Sequence, residues 1–167
     1  MDVKNELKSI YANIIDLQKF AETKNAGIIA FNIVIIIGIL SSYPHLIKLI
    51  HHCVLLFIII FFFTSTFISI LSQFPQTDNE IILNEKIEEP NIYYFIHLSY
   101  LSYDEFIKLI KKRDESYKID DFDKDIINQI LKISRITNYK FSSFKKSVYF
   151  ALLGLVILFF SILIKLL

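Results

Sequence analysis

The sequence is poor in the residues that build disulfides, phosphate loops and nucleophilic active sites. It contains one Cys, three Gly, three Pro and no Trp among 167 residues. The single Cys53 excludes an intrachain disulfide and a cysteine-based metal cluster. The glycines are scattered, so there is no glycine-rich phosphate loop, and no Ser or Cys nucleophile has a plausible base. The sequence therefore argues against an enzyme and indicates no bound cofactor.

An excess of charge of one sign is also lacking. The chain has 18 Lys and Arg against 17 Asp and Glu, so no global polybasic field favours nucleic acid as the main partner. Any nucleotide site must then be local. Apolar residues, in contrast, make up 54% of the chain, against roughly 45–50% in an ordinary soluble domain. A soluble protein of this size could not bury that much apolar surface.

Two long stretches without a charged residue organise the chain. They predict transmembrane helices over about 26–43 and 53–74, joined into a hairpin (26–74) by a polar link. In hydrocarbon the backbone amides can bond only one another, so both segments must be helical and the link must turn outside the lipid. The apolar segment 148–167 predicts a third span. The expected fold class is an all-α membrane protein, a transmembrane helical hairpin plus a third span.

Residues 1–25 predict an amphipathic cytosolic helix rather than a secretion signal, because acidic and basic residues alternate along them. Apolar residues recur there at alternating spacings of 4 and 3, the period of a coiled-coil seam. This heptad line consists of Val3, Leu7, Ile10, Ile14, Leu17 and Ala21. About three heptads are marginal for a free-standing coiled coil. Packing on the cytosolic part of the same chain and self-association between protomers are therefore equally good interpretations.

The spans carry few polar side chains. Asn32 is the one strongly polar residue of the first span, and Ser65, Ser69 and Ser72 share one helical face of the second. This face is either an interhelical contact or a water-lined pore surface. No Asp, Glu, Lys, Arg or His lies within either apolar core, which argues against a proton relay and against ion-coupled transport.

Residues 75–147 are expected to form a cytosolic regulatory part, since acidic and basic residues are mixed there. Short apolar patches within 76–89 and the β-branched and aromatic stretch 91–99 leave room for a small β-hairpin in a mainly helical part. Ser102 and Glu105 have the spacing of a capping box and predict a short helix directly after them.

A longer helix is predicted from Asp120 or Asp121, because acidic residues suit a helix N-terminus. Its apolar line starts at Phe122 and keeps a helical period. No Pro or Gly interrupts the chain before Ala151, so the helix is expected to continue into the third span.

Cationic residues near the spans predict the topology. Those before the first and third spans are Lys19, Lys24, Lys140, Lys145 and Lys146. The link between the first two spans carries only Lys48. Positive charge accumulates on the cytoplasmic side, so the N-terminus and 75–147 are expected inside and the C-terminus outside.

One face of the long helix carries amide and cationic side chains. Asn128, Lys132 and Arg135 lie at spacings of 4 and 3, with Gln129 at the border of this face. Cations and amides together can hold a phosphate and a base edge. The alternative is an ordinary solvated helix face, which is the more common origin of such a pattern.

The link offers a weaker candidate, a metal site at His45, His51 and His52. Loop histidines without a carboxylate or Cys partner are more often solvated side chains than ligands. No metal site is therefore predicted.

Several segments carry a family resemblance that covers nearly the whole chain. They are Phe20-Ala21-Glu22-Thr23-Lys24, Tyr94-Phe95 leading to Leu101-Ser102 and Phe106, Asp125-Ile126-Ile127-Asn128-Gln129-Ile130 with Ser134, and Tyr139-Lys140-Phe141. These segments resemble the Pycsar effector transmembrane family.

The resemblance implies an antiphage effector of the bacterial inner membrane, whose output is damage to the membrane barrier. It also implies a partner enzyme from a neighbouring cyclase or nucleotidyltransferase gene, whose cyclic nucleotide or oligonucleotide product controls the effector. In related operons such as Hailong the sign is reversed, and the nucleotide holds the effector closed. Which sign applies here does not follow from these residues.

The hypothesis is thus a homo-oligomeric channel or pore in membrane lipid, triggered through its cytosolic helices. Its candidate ligand-binding or gating residues are Asn128, Gln129, Lys132, Arg135, Lys140 and Lys24. Its candidate pore or interhelical residues are Asn32, Ser65, Ser69 and Ser72. The alternatives are a non-conducting membrane anchor or adaptor that docks a cytosolic partner, and a holin-like toxin without ligand control.

Overall fold

The computed structural model describes residues 3–74 and 89–166, and within these ranges every regular element is an α-helix. The helices are α1 (Val3–Ser41), α2 (Tyr43–Leu46), α3 (His52–Leu71), α4 (Phe95–Tyr100), α5 (Tyr103–Arg113) and α6 (Asp121–Leu166). Three of them, α1, α3 and α6, contain segments long and apolar enough to cross a membrane. The predicted all-α fold with three spans is confirmed.

The chain divides into two compact units. Unit 1 comprises Met1–Ala21 and Pro75–Lys140, and unit 2 comprises Glu22–Phe74 and Phe141–Leu167. Helices α4 and α5 belong to unit 1, α2 and α3 belong to unit 2, and α1 and α6 contribute to both.

Unit 1 has a core in which the first half of α1 packs against α4, α5 and the first part of α6. The α1 residues in this core are Val3, Leu7, Ile10 and Ile14. Their buried neighbours include Leu98, Phe106, Ile110, Ile127 and Ile130. The first four residues of the heptad line therefore pack on the same chain, the first of the two interpretations drawn from the sequence. They are not available for a contact between protomers.

Helix α4 lies where the second strand of the β-hairpin was expected, so that expectation is wrong. Two local hydrogen bonds precede the helix: Asn91 Oδ1 accepts from the Tyr93 N–H at 2.9 Å, and His97 Nδ1 accepts from the Asn91 N–H at 3.0 Å. Leu98 is buried in the unit 1 core, and this packing overrides the strand propensity of the segment. The first strand was expected almost wholly within 75–88, which lie outside the described residues.

The predicted capping box at the start of α5 is confirmed. The Ser102 hydroxyl accepts a hydrogen bond from the Glu105 N–H at 3.3 Å, and the Glu105 carboxylate accepts from the Ser102 N–H at 2.8 Å. These two bonds satisfy amides that the first turn of a helix leaves without partners. Phe106 and Ile110 then fix α5 to the core.

Helix α6 begins with reciprocal hydrogen bonds between two aspartates. Asp120 Oδ1 accepts from the Asp123 N–H at 2.8 Å, and Asp123 Oδ2 accepts from the Asp120 N–H at 3.1 Å. The helix then continues without interruption for 46 residues, as the absence of Pro and the late position of Gly154 predict.

The apolar line of α6 does not begin in the core, because Phe122 is 48% exposed. The line that is buried consists of Asp123, Ile127, Ile130, Ser134 and Thr137, again at spacings of 4 and 3. The first member of this line, Asp123, is a carboxylate. It is tolerated in the interior because it accepts hydrogen bonds from the Tyr117 hydroxyl and from the Asp120 N–H. Because this first member is polar, a search for apolar residues alone does not find the start of the buried face.

Unit 2 brings the three apolar segments together around a core of Ile39, Ile50, Leu55, Ile58, Phe62 and Ala151. Gly154 permits a close approach between α6 and α3, because a Cβ atom there would lie 3.0 Å from Cε2 of Phe62. At Gly27 and Gly38 a Cβ atom would meet no described atom within 4 Å. In the link, Pro44 occupies the first turn of α2, where its missing N–H is not needed.

Candidate functional site

The amide and cationic face of α6 lines an open cleft of about 340 Å³ in unit 1, here called the cationic cleft. Its lining residues are Tyr103, Asn128, Gln129, Leu131, Lys132 and Arg135. The volume falls in the range of small-molecule sites, roughly 300–1,000 Å³. Asn128 and Gln129 are exposed, and Lys132 and Arg135 are half-buried. The structure thus brings together four of the six candidate ligand-binding or gating residues.

Arg135 also has a second set of contacts, which the sequence does not predict. Its Nη2 donates to the Leu101 carbonyl at 3.0 Å, and its Nε lies 3.4 Å from the Ser99 carbonyl. These carbonyls are at the C-terminal end of α4, where a helix leaves acceptors without intrahelical partners. Asn138 reinforces the contact by donating to the buried Ser99 hydroxyl at 2.9 Å. Arg135 therefore holds α4 against α6 and lines the cleft at the same time.

The remaining two candidates do not line this cleft. Lys140 is only 5% exposed, at the end of the unit 1 segment of α6. Lys24 belongs to unit 2, where its Nζ lies 5.2 Å from the centre of the Phe144 ring, a cation–π distance. For Lys24 this contact provides a local role that needs no ligand.

The candidate pore or interhelical residues lie together in unit 2. Asn32 Nδ2 donates to the Ser65 hydroxyl at 2.7 Å, and Ser65 in turn donates to the Ser147 carbonyl at 2.7 Å. Ser69 donates to the Ser147 hydroxyl at 2.8 Å. Ser72, the fourth candidate, bonds the Ser69 carbonyl of its own helix at 2.7 Å. The polar ladder formed by Asn32, Ser65, Ser69 and Ser147 thus connects α1, α3 and α6.

All four residues of the polar ladder are fully buried within one protomer. This arrangement favours the interhelical interpretation over a water-lined surface, because a pore lining would be exposed. Ser147 does not appear among the sequence-based candidates. The signal that could have found it is the pair Ser143 and Ser147 on one face of α6 immediately before the third span, which matches the serine spacing of α3.

A second open cleft of about 420 Å³ in unit 1 is mostly apolar and is here called the apolar cleft. Its lining residues are Lys8, Tyr11, Phe122, Asp125, Ile126 and Gln129. Gln129 therefore borders both clefts. Phe122 begins the apolar line of the sequence, and its exposure creates an aromatic wall here.

Electrostatics near the start of α6 are set by a contact from α1. Lys4 Nζ donates to Asp120 Oδ2 at 2.8 Å, and this hydrogen bond is the main reason that the pKa of the Asp120 carboxyl lies below its ordinary value. Lys4 also lies 4.9 Å from the centre of the Phe122 ring. In the loop before α6, the Ser116 hydroxyl similarly lowers the pKa of Asp114.

The link histidines are exposed and bond only locally in the described structure. Tyr43 Oη lies 2.9 Å from His52 Nδ1, and His51 Nδ1 accepts from the Cys53 N–H at the start of α3. No group of three or more His, Cys, Asp or Glu that could hold a metal ion occurs among residues 3–74 and 89–166.

Comparison with known proteins gives one family. The family model described as the Pycsar effector protein domain matches residues 6–167, essentially the whole chain. Neither the curated proteins nor the solved structures contain a match.

Proposed function

Since this chain belongs to the Pycsar effector family, and is thereby an antiphage defence effector with membrane-spanning helices, we propose that it permeabilises or depolarises the bacterial inner membrane. In this proposal the active form is a homo-oligomeric channel or pore. A nucleotide made by a partner enzyme controls it, and the protein itself catalyses no reaction.

The observation that carries the proposal is the distribution of polar groups along α6. This helix presents Lys132 and Arg135 to the cationic cleft in unit 1 and Ser147 to the polar ladder in unit 2. The two segments belong to one continuous helix. We propose that a change at the cleft is passed along this helix to the segment that carries the ladder.

Arg135 provides a physical route by which a ligand acts on unit 1. A phosphate in the cationic cleft would compete with the Ser99 and Leu101 carbonyls for its guanidinium. Bonds between a guanidinium and a phosphate are charge-assisted and stronger than bonds to neutral carbonyls. Binding would then release the end of α4 from α6. The direction of control depends on which state binds the nucleotide more tightly, since a ligand shifts an equilibrium only by its differential affinity.

The polar ladder supplies the groups that a water path needs. In this arrangement its hydroxyls and amide are buried between the helices of one protomer, so a conducting state requires α1, α3 and α6 to move apart or rotate. We propose that the path then forms between protomers, with the cytoplasmic N-terminus and regulatory part inside the cell and the C-terminus outside.

Liposomes loaded with a self-quenched dye test the proposal directly. The full-length protein is inserted, and leakage is followed with and without 3′,5′-cyclic nucleotides. We expect leakage that the nucleotide either raises or suppresses, and we expect Lys132→Ala to lose that response. Lys108→Ala, on the exposed face of α5, is the matched control for loss of one cation. Intact liposomes under both conditions, with insertion verified, would reject the pore.

The burial of the polar ladder favours one other function, a non-conducting anchor. Each ladder hydroxyl bonds within its own protomer, as expected if the three segments serve only to hold unit 1 at the membrane. In that case the leakage assay stays negative while the cytosolic part still binds its partner.

A further inference from the structure

We propose that the apolar cleft receives the base of the signal nucleotide, and that Asp125 selects bases that carry an exocyclic amine. The phosphate of the same nucleotide then lies at Lys132 in the cationic cleft. This inference rests on the proposed nucleotide control and adds to it a binding mode and a residue that sets the choice of base.

The geometry that joins the two clefts is a line of side chains along α6. Asp125, Gln129 and Lys132 follow one another at spacings of 4 and 3, so they lie on one face of the helix. Seven residues correspond to about 10 Å of axial rise. Asp125 lines the apolar cleft, Lys132 lines the cationic cleft, and Gln129 lines both. One mononucleotide is long enough to place its base in the first cleft and its phosphate in the second.

The apolar cleft has the composition of a base-binding surface. Tyr11 and Phe122 provide aromatic rings, and Ile126 provides an aliphatic wall. Nearly half of the Phe122 side chain is exposed, although buried isoleucines lie on the neighbouring face of the same helix. Bases stack on such rings irrespective of sequence, because every base has a π face. Stacking therefore explains affinity for a base but not a choice among bases.

The Asp125 carboxylate provides the discrimination among bases. An ionised carboxylate only accepts hydrogen bonds, so it pairs with the exocyclic amine of cytosine or adenine. The same position in uracil or hypoxanthine carries a keto oxygen, which is also an acceptor and is repelled. Gln129 does not discriminate in this way, because its amide both donates and accepts.

Titration calorimetry on the full-length protein in detergent micelles tests this mode with two matched pairs of ligands. The first pair is cyclic CMP and cyclic UMP, and the second pair is cyclic AMP and cyclic IMP. In each pair the first base carries an exocyclic amine where the second carries a keto oxygen. One good contact to a base edge corresponds to about tenfold or more in affinity, so we expect the amine-bearing member of each pair to bind at least about tenfold more tightly.

Variants at three positions separate the contributions to binding. Asp125→Asn should reduce the preference within each pair to about threefold or less, because an amide can turn its NH₂ toward a keto oxygen. Lys132→Ala should weaken all four ligands by a similar factor and leave the ratios unchanged. Phe122→Ala should also weaken all four, and Phe122→Tyr should restore them. Glu115→Gln, at an exposed position outside both clefts, is the control for loss of a carboxylate.

The outcomes distinguish this inference from the function on which it rests. Binding of all four nucleotides with equal affinity, or a preference that Asp125→Asn leaves intact, overturns the base-selecting role and leaves nucleotide control standing. Tighter binding of the keto members overturns it as well. If none of the four nucleotides binds while the protein is folded, both the binding mode and control by these cyclic mononucleotides fail.

Discussion

The guanidinium of Arg135 donates a hydrogen bond to the backbone carbonyl of Leu101, 34 positions earlier in the chain, at 3.0 Å. Both residues belong to unit 1, and the contact joins the end of α4 to the middle of α6. A candidate phosphate-binding side chain is thus already part of the protein's own packing. In the proposed function, ligand binding at Arg135 and the position of α4 would therefore depend on each other.

Arg135→Ala should destabilise unit 1, in addition to impairing the response to nucleotide. Hydrogen bonds to charged groups contribute about 1.5–3 kcal/mol each, and the buried end of α4 loses its donor. Arg135→Lys should recover only part of this stability, since an ammonium cannot reproduce the two-nitrogen geometry. Thermal unfolding in detergent, followed by circular dichroism, measures the difference. An unchanged unfolding temperature for Arg135→Ala would mean that the α4 contact contributes nothing.

Ser65→Ala should weaken the packing of unit 2 by about 1–3 kcal/mol, because the Asn32 amide loses its acceptor in a buried site. Ser161→Ala is a matched control, since the Ser161 hydroxyl bonds only the Ile157 carbonyl of its own helix. Unfolding of both variants by added SDS gives the comparison. Equal stability of the two would show that the polar ladder does not hold the helices together.

Gly154→Leu should disrupt the contact between α6 and α3, because even a Cβ atom there reaches the Phe62 ring. Overpacking of this kind costs about 1–3 kcal/mol. Gly38→Leu is the control, because a Cβ atom at Gly38 meets no described atom within 4 Å. If Gly38→Leu leaves the protomer folded but lowers the mass of the detergent-solubilised complex, that face of α1 contacts another protomer. Equal tolerance of both substitutions would contradict the close approach at Gly154.

The hydrogen bond between Lys4 and Asp120 predicts a loss of stability in acid. This bond lowers the pKa of the Asp120 carboxyl below the ordinary value of 3.8. The stability that the bond contributes is therefore complete above pH 3.8 and disappears as the pH falls through the lowered pKa of the folded state. Asp120→Asn removes the charge but keeps a good helix cap, and it should make the unfolding temperature less dependent on pH in this range. Parallel curves for the two proteins would argue against the contact.

The helices themselves could be predicted because their signals are local. The capping box at Ser102 and Glu105 lies within four residues, and the continuity of α6 follows from the lack of Pro and from the absence of Gly before Ala151. Helix α4 could not be predicted in this way, since its β-branched and aromatic residues favour a strand until Leu98 enters the core. The burial of Ile10 and Ile14 within their own protomer also means that charged substitutions there would test the fold rather than assembly.

The candidate site could be predicted where its members lie on one helix. Asn128, Gln129, Lys132 and Arg135 share a face of α6, and helical spacing alone brings them together. The contact of Arg135 with Leu101 and the bond of Ser65 to Ser147 join distant parts of the chain, and no spacing rule reaches across them. Those partners depend on tertiary packing.

The polar ladder also leaves one acceptor unused. Asn32 Oδ1 is buried and has no hydrogen-bond partner among the described residues. An orphan acceptor of this kind costs about 1–3 kcal/mol, and about 1.4 kcal/mol is a tenfold change in population. Any rearrangement that pairs or hydrates this oxygen recovers that free energy. The residue that fastens α1 to α3 therefore also raises the free energy of their packed arrangement. In the proposed function, this lowers the free energy that a trigger must supply.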